Sequence, residues 1–309
     1  MRAPKQEKPS APPSLSIFTP TVMSGRAVHE QRIGWALVFP SVFIILALIL
    51  YPVLYNIYLS FFAFKLAGDN VFVGLRNYVQ ILTDSEFLLA VRETLVYVVF
   101  STLGTTLLGL GTAMVMNKKF PLRGLVRSLI LLPYVAPVIS VVFAWQFIFD
   151  PVNGIFMDVF HTKLGLFAER FNLIGSPSTA IWVAILFGIW KNFPFTYLMI
   201  LSRLQAIDET LYEAAEVDGA NGWQKFKAIT LPEVYFVISA LILLRVIWNF
   251  NKFEEVYLLT SNVKVLSVYT YLKAFTGTMD LGQGATLAVL QFIILIGFIL
   301  VYVKKVLKW

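Results

Sequence analysis

The chain contains no cysteine, which excludes disulfide staples, thiol nucleophiles and thiolate metal sites. Charge is scarce too: 14% of the 309 residues are Asp, Glu, Lys or Arg, against roughly 25% in a typical soluble domain. A water-facing surface of this size cannot be built from so few ionic groups. Histidine occurs only as His29 and His161. His29-Glu30 begins like a zinc-protease motif, but Ile33 stands where the second ligand would be. The G-x-x-x-x-G-K-[ST] phosphate loop is absent, so the chain is not expected to hydrolyse ATP itself. With no Ser-His-Asp set or paired carboxylates at membrane depth, an enzyme is disfavoured. No metal or cofactor is expected on this chain.

What is plentiful is apolar. Hydrophobic residues make up 58% of the chain, and the mean hydropathy is +0.75. Six stretches are long enough to cross hydrocarbon, which takes about 20 apolar residues: 33–64, 94–117, 128–149, 178–202, 234–251 and 281–303. Lys191 interrupts the fourth and Arg245 the fifth. Their unbroken character predicts helices rather than the alternating strands of a barrel. The fold class is therefore all-α and polytopic, with six transmembrane helices. Residues 1–32, rich in proline and without a signal core, read as a flexible cytosolic tail preceding a first span at 33–64. A five-helix core follows over 72–303.

Basic residues set the orientation. With the N-terminus inside, the cytosolic segments hold fifteen Lys and Arg, among them Lys118, Lys119, Arg123, Arg127 and Arg203. The external segments hold seven, from Lys65 to Lys273. Both termini are expected in the cytosol. The net charge of +7 is then mostly topology, and no nucleic-acid partner is implied.

One connection is too long for a simple joint. Residues 203–233 read as two short helices, the first capped by Asp208 and ended by an Asp218-Gly219 turn, the second running from Trp223 to Ile229. Pro232 is expected to end the second helix. Physics alone leaves two readings open, a docking elbow and a packing hairpin.

Glu213-Ala214-Ala215, then Gly219, then Ile229, Leu231 and Pro232 resemble the EAA signature of ABC-importer permeases. Looser matches cover about 72–303, and Trp190-Lys191-Asn192-Phe193-Pro194-Phe195 is similar to the sugar (MalF-like) branch. The resemblance implies a MetI/MalF-like type I importer permease in a bacterial plasma (inner) membrane. It also implies a second permease forming a heterodimer, two ATPase subunits that bind ATP and Mg, and an extracytoplasmic solute-binding protein. Under it, Glu213, Ala214, Ala215, Asp218, Gly219, Ile229, Leu231 and Pro232 couple the chain to the ATPases. One departure stands out: Ser261-Asn262-Val263 replaces the Gly-Gly-Pro usual after Leu-Thr.

Arg245, Asn249 and Lys252 share one helix face and suit a water-filled cavity. With Trp190, Lys191, Asn192 and Tyr134 they give a candidate solute path for a hydroxyl-rich molecule, and Pro194 is expected to kink the fourth helix. The other reading of Lys191 and Arg245 is that they tie helices together or contact the sister subunit. Gly104 and Gly111 suggest a helix-packing groove. A stand-alone secondary transporter or channel is the rival from another class, but no span holds the Asp or Glu of a proton or sodium site.

Overall fold

The computed structural model describes residues 25–64, 70–277 and 279–307. Residues 1–24 of the tail expected over 1–32, and Lys65 and Lys308 of the topology count, lie outside them. The chain divides into two units, Met1–Leu54 and Tyr55–Trp309.

In the first unit, α1 (Gly25–Ile45) begins before the expected boundary at residue 33. Charge marked where hydrocarbon could begin, but nothing between Ala27 and Arg32 stops a helix. A π turn, Leu46–Leu50, leads into α2 (Tyr51–Leu59). There the Tyr51 N–H bonds five residues back to Leu46 O, just before Pro52, which has no N–H to offer. From Gln31 to Leu54 every side chain is exposed.

In the second unit, α2 stops short of residue 64 because β1 (Phe62–Ala63) pairs antiparallel with β2 (Val71–Phe72), Phe62 opposite Phe72. Next come α3 (Arg76–Leu82) and α4 (Ser85–Asn117), the latter N-capped by Asp84, which accepts from the Glu86 N–H at 2.9 Å. The third span is a broken pair, α5 (Arg123–Val135) and α6 (Val138–Ile148), bent by 93°. This corrects the single helix expected over 128–149. Ala136, preceding Pro137, is extended (ψ 139°), as the proline ring requires of its neighbour, and Pro137 cannot donate to the turn before it.

A short turn, α7 (Ile155–Met157), and a π turn at Asp158–Lys163 precede α8 (Pro177–Leu204), which runs unbroken through Pro194. Beyond it lie α9 (Glu209–Val217), α10 (Gly222–Lys225), a π turn at Phe226–Thr230 and α11 (Leu231–Phe250). The last elements are α12 (Glu254–Leu259), α13 (Leu266–Phe275) and α14 (Leu281–Tyr302). Among the described residues five helices are long and apolar enough to span a membrane, and α5 with α6 makes six.

The core lies between α4 and α8, where Tyr97, Ala113, Ala184, Phe187, Tyr197 and Ile200 are all 2% exposed or less. Gly109 lets α4 reach the α8 backbone: a Cβ there would lie 3.1 Å from Tyr197 N. Gly104 packs under Ile189, but Gly111, expected beside it, meets nothing within 4 Å. The C-terminal part of α4 buries Gly109, Ala113 and Met116, and position 111 falls on the opposite side of that helix. At the other end of the core, Gly282 sits so close to β1 that a Cβ would run into the Phe62 carbonyl oxygen. Gly282→Leu should therefore lower the melting temperature of the purified protein, an overpacking cost of about 1–3 kcal/mol or more. Gly111→Leu should leave it unchanged.

Candidate functional site

Three of the solute-path candidates, Asn192, Arg245 and Asn249, meet in one seam between α4, α8 and α11. The Arg245 guanidinium donates to Asn192 Oδ1 (3.1 Å), Asn192 O (2.6 Å) and Thr196 Oγ1 (3.3 Å). It lies 5.3 Å from the ring centroids of both Phe195 and Trp248. Asn249 donates to Thr102 Oγ1 at 3.1 Å, and Asn192 Nδ2 donates to Gly188 O at 2.8 Å. Lys191 donates to Pro133 O (3.1 Å) and Ala136 O (2.9 Å), the carbonyls that the break before α6 leaves without helical donors.

These side chains do not face open water. Arg245 is 2% exposed and Asn249 4%, and Lys252 pairs with Glu255 at 3.3 Å. The polar stripe read as a cavity lining is closed over here, because neutral oxygens on α4 and α8 satisfy Arg245 and Asn249 and the Glu255 carboxylate takes Lys252. Tyr134 (43% exposed) and the half-buried Trp190 are the candidates with open surface. Tyr134 adjoins the seam through Phe195, 5.9 Å between centroids, whereas Trp190 packs apart from it against Trp145. Thr102 and Thr196 were not anticipated. Thr196 follows Asn192 by one turn on the same face, and that spacing was the available signal.

The elbow between α8 and α11 is the second assembly. The Asp208 side chain caps α9 by accepting the Thr210 N–H at 3.0 Å. Its C-terminus closes in a Schellman motif, Ala220 N–H to Ala215 O (2.9 Å) and Gly219 N–H to Glu216 O (3.0 Å). Gly219 takes φ +77°, a conformation costly for any residue with a Cβ. Asn221 and Gln224 then form a reciprocal capping box that starts α10. Three ties fold the elbow on itself: Lys225 to Glu216 (2.7 Å), Tyr212 Oη with Thr230 Oγ1 (2.9 Å), and Arg203 to Glu233.

Pro232 does not end the second helix. Ahead of it the ladder slips into the π turn at Phe226–Thr230, with the Leu231 N–H bonding Phe226 O, so no donor is missed and the helix continues as α11. The expected boundary at residue 234 is thereby corrected to a helix running Gly222–Phe250. Outward, the elbow exposes Glu213, Ala214, Asp218 and Gly219, with Val217 88% and Trp223 70% exposed. Among the described residues no group of His, Asp and Glu converges as metal ligands would.

The hydrogen bond from the Lys225 ammonium, then its charge, hold the Glu216 carboxyl below its ordinary range. A depressed carboxylate pKa contributes stability above the unfolded value and loses it as pH falls through the folded one. A carbon-detected titration should place Glu216 below a free glutamate, and Lys225→Met should return it to the ordinary value. In the seam, Arg245→Lys should lower the melting temperature by on the order of 2 kcal/mol of stability, because one ammonium cannot reproduce the fork on Asn192 and Thr196.

A family model described as "Binding-protein-dependent transport system inner membrane component" matches residues 105–308. The chain is 39% identical over 287 residues to the inner membrane ABC transporter permease protein YcjO of Escherichia coli (strain K12), covering 92% of this chain and 97% of the relative. It is 30% identical over 280 residues to the trehalose/maltose transport system permease protein MalF of Thermococcus litoralis, covering 89% and 94%. A chain from the crystal structure of a bacterial alginate ABC transporter, in complex with an alginate pentasaccharide-bound periplasmic protein, aligns with a TM-score of 0.75. That match covers 91% of this chain and 96% of the other at 19% identity, a likeness of fold. The chain therefore belongs to the binding-protein-dependent transport system inner membrane components, the permease subunits of ABC importers.

Proposed function

We propose that this subunit forms, with a second permease, the translocation path for a sugar or sugar-like solute, working by alternating access. The observation that carries the coupling is the elbow. It is internally braced, yet its outer surface of Glu213, Ala214, Val217, Gly219 and Trp223 is exposed. An ordered projection of this kind suits a socket on an ATPase subunit. Two such subunits bind ATP and Mg and close on hydrolysable nucleotide, and the elbow passes that movement to α11. Ile229 and Leu231 with Pro232 fix the helix through which it passes.

A sugar cargo is supported by relatives named for trehalose and maltose transport. An extracytoplasmic binding protein delivers the solute, and both chain termini lie in the cytosol. Within the candidate path, Tyr134 and Trp190 offer aromatic surface to a passing sugar. Lys191, Asn192, Arg245 and Asn249 hold the helices that carry them.

Coupling is tested on the assembled complex in proteoliposomes. Glu213→Lys reverses charge on the docking face, and Gly219→Pro forbids the positive φ and removes the N–H bonded to Glu216. Each should reduce ATP-driven sugar uptake to background while the subunit still reaches the membrane. Normal uptake by both variants, or uptake by the lone chain in ATP-free liposomes, would overturn the reading.

A further inference from the structure

At the end of the core opposite the elbow, a cavity of about 430 Å³ opens where the end of α6, the 172–175 turn and the loop after α12 meet. It holds none of the residues discussed above as site candidates, and its size lies within the ~300–1,000 Å³ of small-molecule sites.

The walls are fixed before any ligand arrives. Gln146 Nε2 donates to Leu258 O (2.8 Å) and Leu259 O (3.2 Å), pinning α6 to the end of α12. Thr260 Oγ1 and Asn262 Nδ2 both donate to Ile174 O, at 2.9 and 3.3 Å, clamping the α12 loop to the turn before α8. Asp150 Oδ1 accepts the Val152 and Asn153 N–H groups (2.9 and 2.7 Å), which locks its carboxylate in place. Tyr257 is stacked on Phe253, 5.0 Å between centroids at 15°.

Hydrogen-bonding capacity is left over on this rigid frame. Among the described residues, Asp150 Oδ2, the Ser261 hydroxyl, Asn172 Nδ2 and Asn262 Oδ1 have no partner. They combine carboxylate, hydroxyl and amide groups around the edge of a tyrosine. A sugar hydroxyl both donates and accepts, so a saccharide fits this mixture of donors and acceptors. The lining contains no Lys or Arg. Nearby Arg170 gives its donors to the Pro151 and Val152 carbonyls and to Thr162. Asp150 is the one charged residue in the lining, so the wall offers an anionic sugar no cation to pair with.

Two of the lining residues are the substitutions in the sequence pattern. Where the resembled permeases carry Gly-Gly-Pro, Ser261 brings a free hydroxyl and Asn262 half of the clamp on Ile174, while Val263 is 0% exposed in the core. We propose that this pocket is a binding subsite for an uncharged sugar on the face of the permease away from the elbow. The proposal rests on the sugar-importer reading and narrows its solute class.

The test uses the assembled membrane complex in nanodiscs, without the soluble binding protein. Saturation-transfer NMR is recorded with glucose, maltose and trehalose as neutral probes and glucuronate as the anionic one. A neutral sugar should receive saturation and glucuronate should not. Ser261→Ala with Asp150→Asn, which keeps the Oδ1 acceptor, should weaken binding about tenfold, the scale of two lost hydrogen bonds. An unchanged signal in the double variant, or glucuronate bound as well as the neutral sugars, overturns the subsite. Uptake by the same complex, with binding protein and ATP, separates the two claims. Neutral-sugar uptake without a pocket signal refutes the subsite alone, and uptake of none of the neutral sugars refutes the neutral-sugar cargo and the subsite together.

Discussion

Where Pro137 breaks the third span, the carbonyls of Pro133 and Ala136 lose their helical donors. An unsatisfied backbone group in hydrocarbon costs several kcal/mol. The Lys191 ammonium answers both carbonyls, so a charge that would be expensive in lipid and a helix end that would be expensive in lipid cancel each other's cost. The tight α4–α8 packing positions Lys191 on α8 to do this. Arg245 repeats the solution one helix over, with Asn192 and Thr196 as its acceptors. Polar groups in this core are thus mutual supports: Pro137 breaks the third span, and α8 carries the group that satisfies the break.

The two ends of the molecule are built differently for the same reason of satisfaction. The elbow meets its own needs through a cap, a Schellman closure, a capping box and three cross-ties, leaving its outer surface free. The opposite end is stapled by side chains reaching to backbone carbonyls across elements, as with Gln146, Thr260 and Asn262. Tyr269 and Lys273 on α13 likewise bond Asp84 at the start of α4. One end is braced within itself and the other is laced across elements distant in sequence.

Much of this was legible in the residues. Scarce charge and long apolar runs gave the all-α, six-span class, and Asp208 and Gly219 announced the first elbow helix. The signature from Glu213 to Pro232 pointed to the family. What stayed hidden depended on partners distant in sequence. Arg245 and Asn249 fall on one helix face, but only the approach of Thr102, 147 positions from Asn249, decides that the face is shut. Proline was read as a helix terminator at Pro232, whereas a one-residue slip of the hydrogen-bond ladder absorbs it, as at Pro52. Gly111 was paired with Gly104 by spacing alone, and the crossing of α4 on α8 selects Gly109 instead.

Because the slip before Pro232 preserves the helix, Gly222–Phe250 is one 29-residue lever, about 40 Å long at 1.5 Å per residue. Tilting its short arm by ~5° would swing the far end by about 4 Å, more than a hydrogen bond can stretch. The Asn249–Thr102 contact near that far end therefore cannot follow the movement gradually. Under the coupling proposed above, that contact would be made in one position of the lever and broken in the other.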